Sequence, residues 1–147
     1  MTSVIRKAEA NWKGDLENGH GLVSTESRAL TESKFSFKQR IDDDSESTNP
    51  EELMAASASS CFAMALSKTL QDEGKTAEKL RVRADVSLNL DDGPKLTEMT
   101  LHVEGLIPGY SEDAFNQAVS KTAESCPVFQ LLKPGFEAIH LESKLQL

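Results

Sequence analysis

A chain of 147 residues, 38% hydrophobic and 27% charged, carries enough apolar side chain for one globular domain over residues 1–147 with a single moderate core. A formal charge of −8 with no basic run to offset it disfavours phosphate backbones, so nucleic acid is not an expected partner. No run approaches the roughly 18 apolar residues of a membrane span, and "MTSVIRKAEANWKGD" lacks the apolar core of an export signal; no membrane association and a cytoplasmic address are expected.

The first elements read as strands. In "VIRKAEANW" the residues Val4, Ala8, Ala10 and Trp12 recur at even positions, and the Asn18-Gly19 pair predicts a hairpin into "LVSTES". "FSFKQRI" places Phe35, Phe37 and Ile41 on one strand face and Lys38 and Arg40 on the other. The acidic "DDDSES" that follows reads as a solvated loop. A helix then starts with Asn49 as N-cap, Pro50 at the first helical position and Glu52 in a capping-box-like place. "RVRADVSLNL" alternates at Val82, Ala84, Val86, Leu88 and Leu90, and "DDGPK" turns it into "LTEMTLHVEG", a second hairpin. Ser111 caps a helix through "SEDAFNQAVSKTAES", and "FEAIHLESKL" closes the chain as a strand. Strands, helix, strands, helix and strand in that order predict an α+β fold.

The two cysteines carry the chemical question. In a reducing compartment they stay thiols, so a purely structural disulfide is a poor default. Neither lies in a C-x-x-C pair or close to a histidine, and His20, His102 and His140 are scattered, so no metal site is expected. In the first helix Met54, Ser57, Cys61 and Met64 share a stripe, which predicts an inward Cys61. That cysteine lies about three turns from the helix start, beyond the dipole's reach, so reactivity there requires a cationic side chain. Glu51 sits in the first turn, where the dipole keeps it ionised and able to hold a cation. Cys126 precedes Pro127 at a junction, as N-cap of a short "PVFQLL" helix, and shares a stripe with Phe115, Val119 and Thr122. Two inward thiols can meet in one core, or each can be an inert small hydrophobe.

The segments "ANWKGDLENGHGLVSTES", "TNPEELMAASASSCFAMAL", "ADVSL" and "ESCPVFQLLK", in this order along nearly the whole chain, resemble the OsmC/Ohr family of organic hydroperoxide reductases, and most the OsmC branch. The resemblance implies an OsmC-like fold: antiparallel sheets wrapped around long central helices in an intertwined homodimer with active sites at the subunit interface. It implies that Cys61 is the peroxide-attacking cysteine and Cys126 the resolving one, with Arg40 the cation that stabilises the thiolate and the departing oxygen, and Glu51 the carboxylate that orients Arg40. No cofactor is implied. The resemblance implies an external dithiol as reductant, a dihydrolipoyl group on a lipoylated protein partner. Phe129 departs from the family pattern, where a small polar residue is common after C-P-V.

Met54, Phe62, Met64 and Phe129 are candidate lining for an apolar tail, favouring alkyl hydroperoxides over hydrogen peroxide; each is equally an ordinary core residue. A peroxidase turns over repeatedly with a dithiol supply. A redox-sensing interaction protein switched by the same disulfide would consume one equivalent of peroxide per chain.

Overall fold

The computed structural model describes residues 2–42 and 46–146, which form two compact units, 1–53 and 54–147. Asp43, Asp44 and Ser45 of the acidic connector lie outside the described residues.

The first unit is a three-stranded antiparallel meander, β1 (Ala8–Lys13), β2 (His20–Thr25) and β3 (Ser33–Phe35), in that order across the sheet. The first hairpin falls where Asn18-Gly19 predicts one, but its turn is longer. Gly14, at φ 94°, leaves β1, and Asp15 organises the loop by accepting the Asn18 amide at 2.7 Å and the Gly19 amide at 2.9 Å. Gly21 sits in register with Trp12 on one side and Phe35 on the other. A Cβ there would lie 2.3 Å from the Phe35 ring, and its absence lets the Trp12 and Phe35 rings approach across β2 to 5.7 Å between centroids. The even face of β1 is not buried: every β1 residue is exposed.

The "FSFKQRI" strand expectation is corrected. After β3 the chain turns at Ser36, whose Oγ accepts the Gln39 amide at 3.1 Å, and Phe37–Ile41 form a one-turn helix, α1. The Ser36 cap outweighs the apolar alternation, which over seven residues with a gap at Gln39 is too weak to decide between helix and strand. Helix α2 (Pro50–Asp72) begins as predicted: Asn49 Oδ1 accepts the Glu52 amide at 2.8 Å. The Glu52 carboxylate accepts from the Thr48 hydroxyl at 3.1 Å. By length and composition alone α2 reaches the measure of a membrane-spanning helix, with mean hydropathy 1.2, a measure that the core helix of a soluble protein also meets.

The second unit packs helices against a sheet of order β4-β5-β6. Strands β4 (Lys79–Asn89) and β5 (Lys95–Leu106) form the predicted hairpin, and β6 (Ala138–Leu145) returns parallel to β5 after α3 (Glu112–Ser125), α4 (Pro127–Leu132) and a 3-10 turn at Lys133–Gly135. Alternation sets the faces. Val82, Ala84 and Val86 of β4 pair with Val103, Leu101 and Met99 of β5, so all six share the core side. Opposite them α2 contributes Phe62, Leu66 and Leu70, and α3 contributes Phe115 and Val119, all buried. Ser111 caps α3 as predicted, its Oγ accepting the Ala114 amide at 3.1 Å.

The buried stripe of α2 differs from the expected one. It runs through Ala58, Phe62, Leu66, Thr69 and Leu70, whereas Ser57 is exposed and Met64 is 70% exposed. Both stripes have helical spacing; the bulk of Phe62 and the two leucines decides which one turns inward, because they remove more apolar area from water than serine and methionine do.

Candidate active site

In the first unit, α1 places Arg40 in its single turn, and the start of α2 places Glu51 where the helix dipole favours a carboxylate. The two form a bidentate pair: Arg40 Nε donates to Glu51 Oε1 at 3.0 Å and Oε2 at 3.1 Å, and Nη2 donates to Oε1 at 2.5 Å. The Glu51 side chain is 9% exposed and that of Arg40 28%. The hydrogen bonds that Arg40 donates to Glu51 hold the guanidinium pKa above its ordinary value, against the opposing effect of burial. This is the fork arrangement that fixes a planar cation.

Arg40 also lines a hollow of about 360 Å³ whose other walls are Trp12, Leu16, Phe35, Ser36, Phe37 and Pro50. It is an apolar pocket with a guanidinium at its edge. Sequence reasoning missed Trp12 and Leu16 as lining, and took Phe35 and Phe37 for one face of a strand. The turn at Ser36 that brings Phe37 and Arg40 to one pocket had a signal in the serine itself, an N-cap residue before "FKQ".

In the second unit the two thiols meet. Cys61, half-buried on α2, and Cys126, fully buried, have their sulfurs 3.5 Å apart. Cys126 is at once the C-cap of α3 and the N-cap of α4: its amide donates to Thr122 O at 2.8 Å, and its carbonyl accepts the Gln130 amide at 2.9 Å. Pro127 at the first position of α4 makes this change of direction compatible with helix on both sides. The predicted stripe of Phe115, Val119, Thr122 and Cys126 is buried throughout. Burial pushes the Cys126 thiol pKa up, and the neighbouring Cys61 adds to the rise; the amides of Phe129 and Val128 at the start of α4 pull it down but do not win. Desolvation thus outweighs the help that the start of α4 gives the thiolate.

The four candidate lining residues separate. Phe62 and Phe129 are core rings with centroids 6.0 Å apart, Met54 is half-buried, and Met64 points to solvent. Among the described residues no group of three or more His, Cys, Asp or Glu side chains converges as a metal site. His102 bonds Asp85 at 2.8 Å and Glu142 at 2.9 Å on the solvent side of the second sheet.

Two small sheets with a long helix, an Arg–Glu fork and a close thiol pair define a thiol-bearing α+β protein. Residues 42–140 match the model of the family described as OsmC-like protein, a span that holds Glu51, Cys61 and Cys126 and begins just after Arg40. The chain is 39% identical over 132 residues to Peroxiredoxin OsmC of Escherichia coli, covering 89% of this chain and 92% of that one. The chain belongs to the OsmC family. Its fold is similar to that of the organic hydroperoxide resistance protein OsmC of Legionella pneumophila, with TM-score 0.71, 23% identity and coverage of 99% of this chain and 100% of that one. OhrB of Bacillus subtilis is similar at TM-score 0.69 and 21% identity, covering 95% of this chain and 98% of that one.

Proposed function

We propose that this protein is a thiol peroxidase that reduces organic hydroperoxides, and hydrogen peroxide more weakly, to alcohols or water. The observation that carries the reading is the 3.5 Å approach of the Cys61 and Cys126 sulfurs. The identity to Peroxiredoxin OsmC supports it.

In the cycle we assign, the Cys61 thiolate attacks the terminal peroxide oxygen, the O–O bond breaks, and the departing alkoxide takes a proton to leave as alcohol. Cys61 is then a sulfenic acid. The Cys126 thiol condenses with it, forming the disulfide and releasing water. Two electrons from an external dithiol, which we take to be a dihydrolipoyl group, restore both thiols by exchange. Half-buried Cys61 suits the attacking role, because peroxide must reach it; buried Cys126 suits the resolving role, because its raised pKa keeps it from competing for peroxide.

Arg40 is the cation we assign to the thiolate and to the developing charge on the leaving oxygen, with Glu51 as its positioning partner. The pocket of Trp12, Leu16, Phe35 and Phe37 beside Arg40 supports a preference for hydroperoxides with an apolar tail. We further propose an obligate homodimer acting as one functional domain per chain. The exposed Val4, Ile5, Trp12 and Leu16 of the first unit and Met64 of α2 are apolar area that a second copy would cover. The setting we propose is the cytoplasm, where thiols are kept reduced.

The deciding experiment follows an organic hydroperoxide with excess dihydrolipoamide. Many turnovers per chain support the enzyme. Consumption that stops at one equivalent per chain points instead to a redox-sensing interaction protein, and no consumption overturns both.

A further inference from the structure

Among the described residues of the second unit, the buried polar side chains are a pair. Thr122, fully buried on α3, and Thr69, 6% exposed on α2, bring their hydroxyls 2.8 Å apart. Each also reaches the carbonyl four residues back on its own helix: Thr122 Oγ1 lies 2.7 Å from Ala118 O, and Thr69 Oγ1 3.1 Å from Ala65 O. Two hydroxyls have two protons for these three contacts. The distances rank them: Thr122 donates to Ala118 O, Thr69 donates to Thr122, and the Ala65 contact is the weaker alternative. The result is a hydrogen-bonded chain crossing from one helix to the other inside an apolar core, where such chains are strongest.

Its place matters more than its strength. The Thr122 carbonyl accepts the Cys126 amide at 2.8 Å, so the cysteine's backbone hangs from the same residue whose side chain grips α2. Thr69 lies about two turns beyond Cys61 on that helix, on the order of 12 Å along its axis. Among the described residues, the hydroxyl pair and the thiol pair are the polar side-chain contacts that join α2 to α3 and its C-cap. Apolar contact is non-directional and tolerates small slides of one helix along another. A buried polar pair does not, and single polar groups in helix cores are known to specify register.

We propose that Thr69 and Thr122 are positioning residues for disulfide closure, holding α2 and α3 in the register that presents the Cys126 sulfur to Cys61. The inference rests on the two-thiol cycle above. In that step the Cys126 S–H and the Cys61 S–OH become an S–S bond and one water, with the sulfenic oxygen leaving and the thiol proton going with it. Misplacing reacting atoms by about 1 Å can cost up to roughly 100-fold in rate.

The test uses Thr122→Val, Thr69→Val and Thr122→Ser in the full chain. In either valine variant the surviving hydroxyl keeps its own carbonyl partner, so no buried hydroxyl is orphaned and the unfolding midpoint stays near the parent's. After one equivalent of cumene hydroperoxide, rapid quenching and intact mass should find the Cys61 sulfenic acid surviving about 10-fold longer in Thr122→Val. Excess peroxide should drive more of it to sulfinic acid, and Thr122→Ser should close at the parental rate. A second readout needs no peroxidase activity: equilibration with glutathione gives the effective concentration of the thiol pair, which should fall about 10-fold in the valine variants. Folded valine variants that close and equilibrate like the parent overturn the positioning role. A parent that ignores peroxide overturns the proposed function instead, and the glutathione equilibrium still decides the role of the threonines.

Discussion

Closing the Cys61–Cys126 gap should stabilise the protein by about 4 kcal/mol. The perturbation is oxidation by one equivalent of organic hydroperoxide, which must bring the sulfurs from 3.5 Å to about 2.05 Å. A shift that small can be shared between two side chains already facing each other. The crosslink spans 65 positions, and the chain-entropy relation for a loop of that length gives about 4 kcal/mol removed from the unfolded ensemble. With a urea dependence of about 2 kcal/mol per molar for a chain of this size, the unfolding midpoint should rise by about 2 M. The assay is urea unfolding of the reduced and oxidised proteins at matched concentration, because the midpoint of the proposed dimer would depend on concentration. Intact mass should confirm the loss of two hydrogens. An oxidised protein with the same midpoint as the reduced one, or a lower one, would mean that closure strains the helices by as much as it restrains the unfolded chain, and a thiol pair poised for closure would be refuted.

Arg40→Ala should lower peroxide reduction by on the order of 100-fold, and Glu51→Ala by less, since the guanidinium remains but is poorly aimed; equal parental rates in both would remove the fork from the mechanism. Phe62→Ala empties a fully buried ring site and should cost about 3–5 kcal/mol in urea unfolding; a loss under 1 kcal/mol would place Phe62 outside the core. Because the folded Cys126 pKa is raised, its contribution to stability is complete below the unfolded thiol pKa and is lost as pH rises through the folded value. The reduced protein should therefore weaken on the alkaline side while the disulfide form does not, and identical pH profiles would contradict this. Tyr110, the sole tyrosine, has its pKa pushed up to about 12 by burial and by its hydrogen bond to Glu73. Absorbance titration should find that midpoint in the parent and a lower one in Glu73→Gln; an unchanged midpoint would deny the bond.

The elements legible in the sequence are those decided by neighbours along the chain. Asn49, Pro50 and the Glu52 amide start α2, Ser111 starts α3, and the alternation of β4 sets its core face, because caps and pleats act within a few residues. The N-P-E-E-L run with its later cysteines carried the family, and with it the candidate thiols and the Arg40–Glu51 assignment. Competition between surfaces was settled only in three dimensions. On α2 two stripes of equal spacing contended, and the bulk of Phe62, Leu66 and Leu70 took the core side that Met64 had been assigned. At "FSFKQRI" the Ser36 cap turned the chain into α1 and put Phe37 and Arg40 on the wall of one pocket. The 3.5 Å between two sulfurs on separate helices, and the Thr69–Thr122 bond behind them, have no local signature, because distances between elements depend on how whole side-chain layers pack and not on any spacing along the chain.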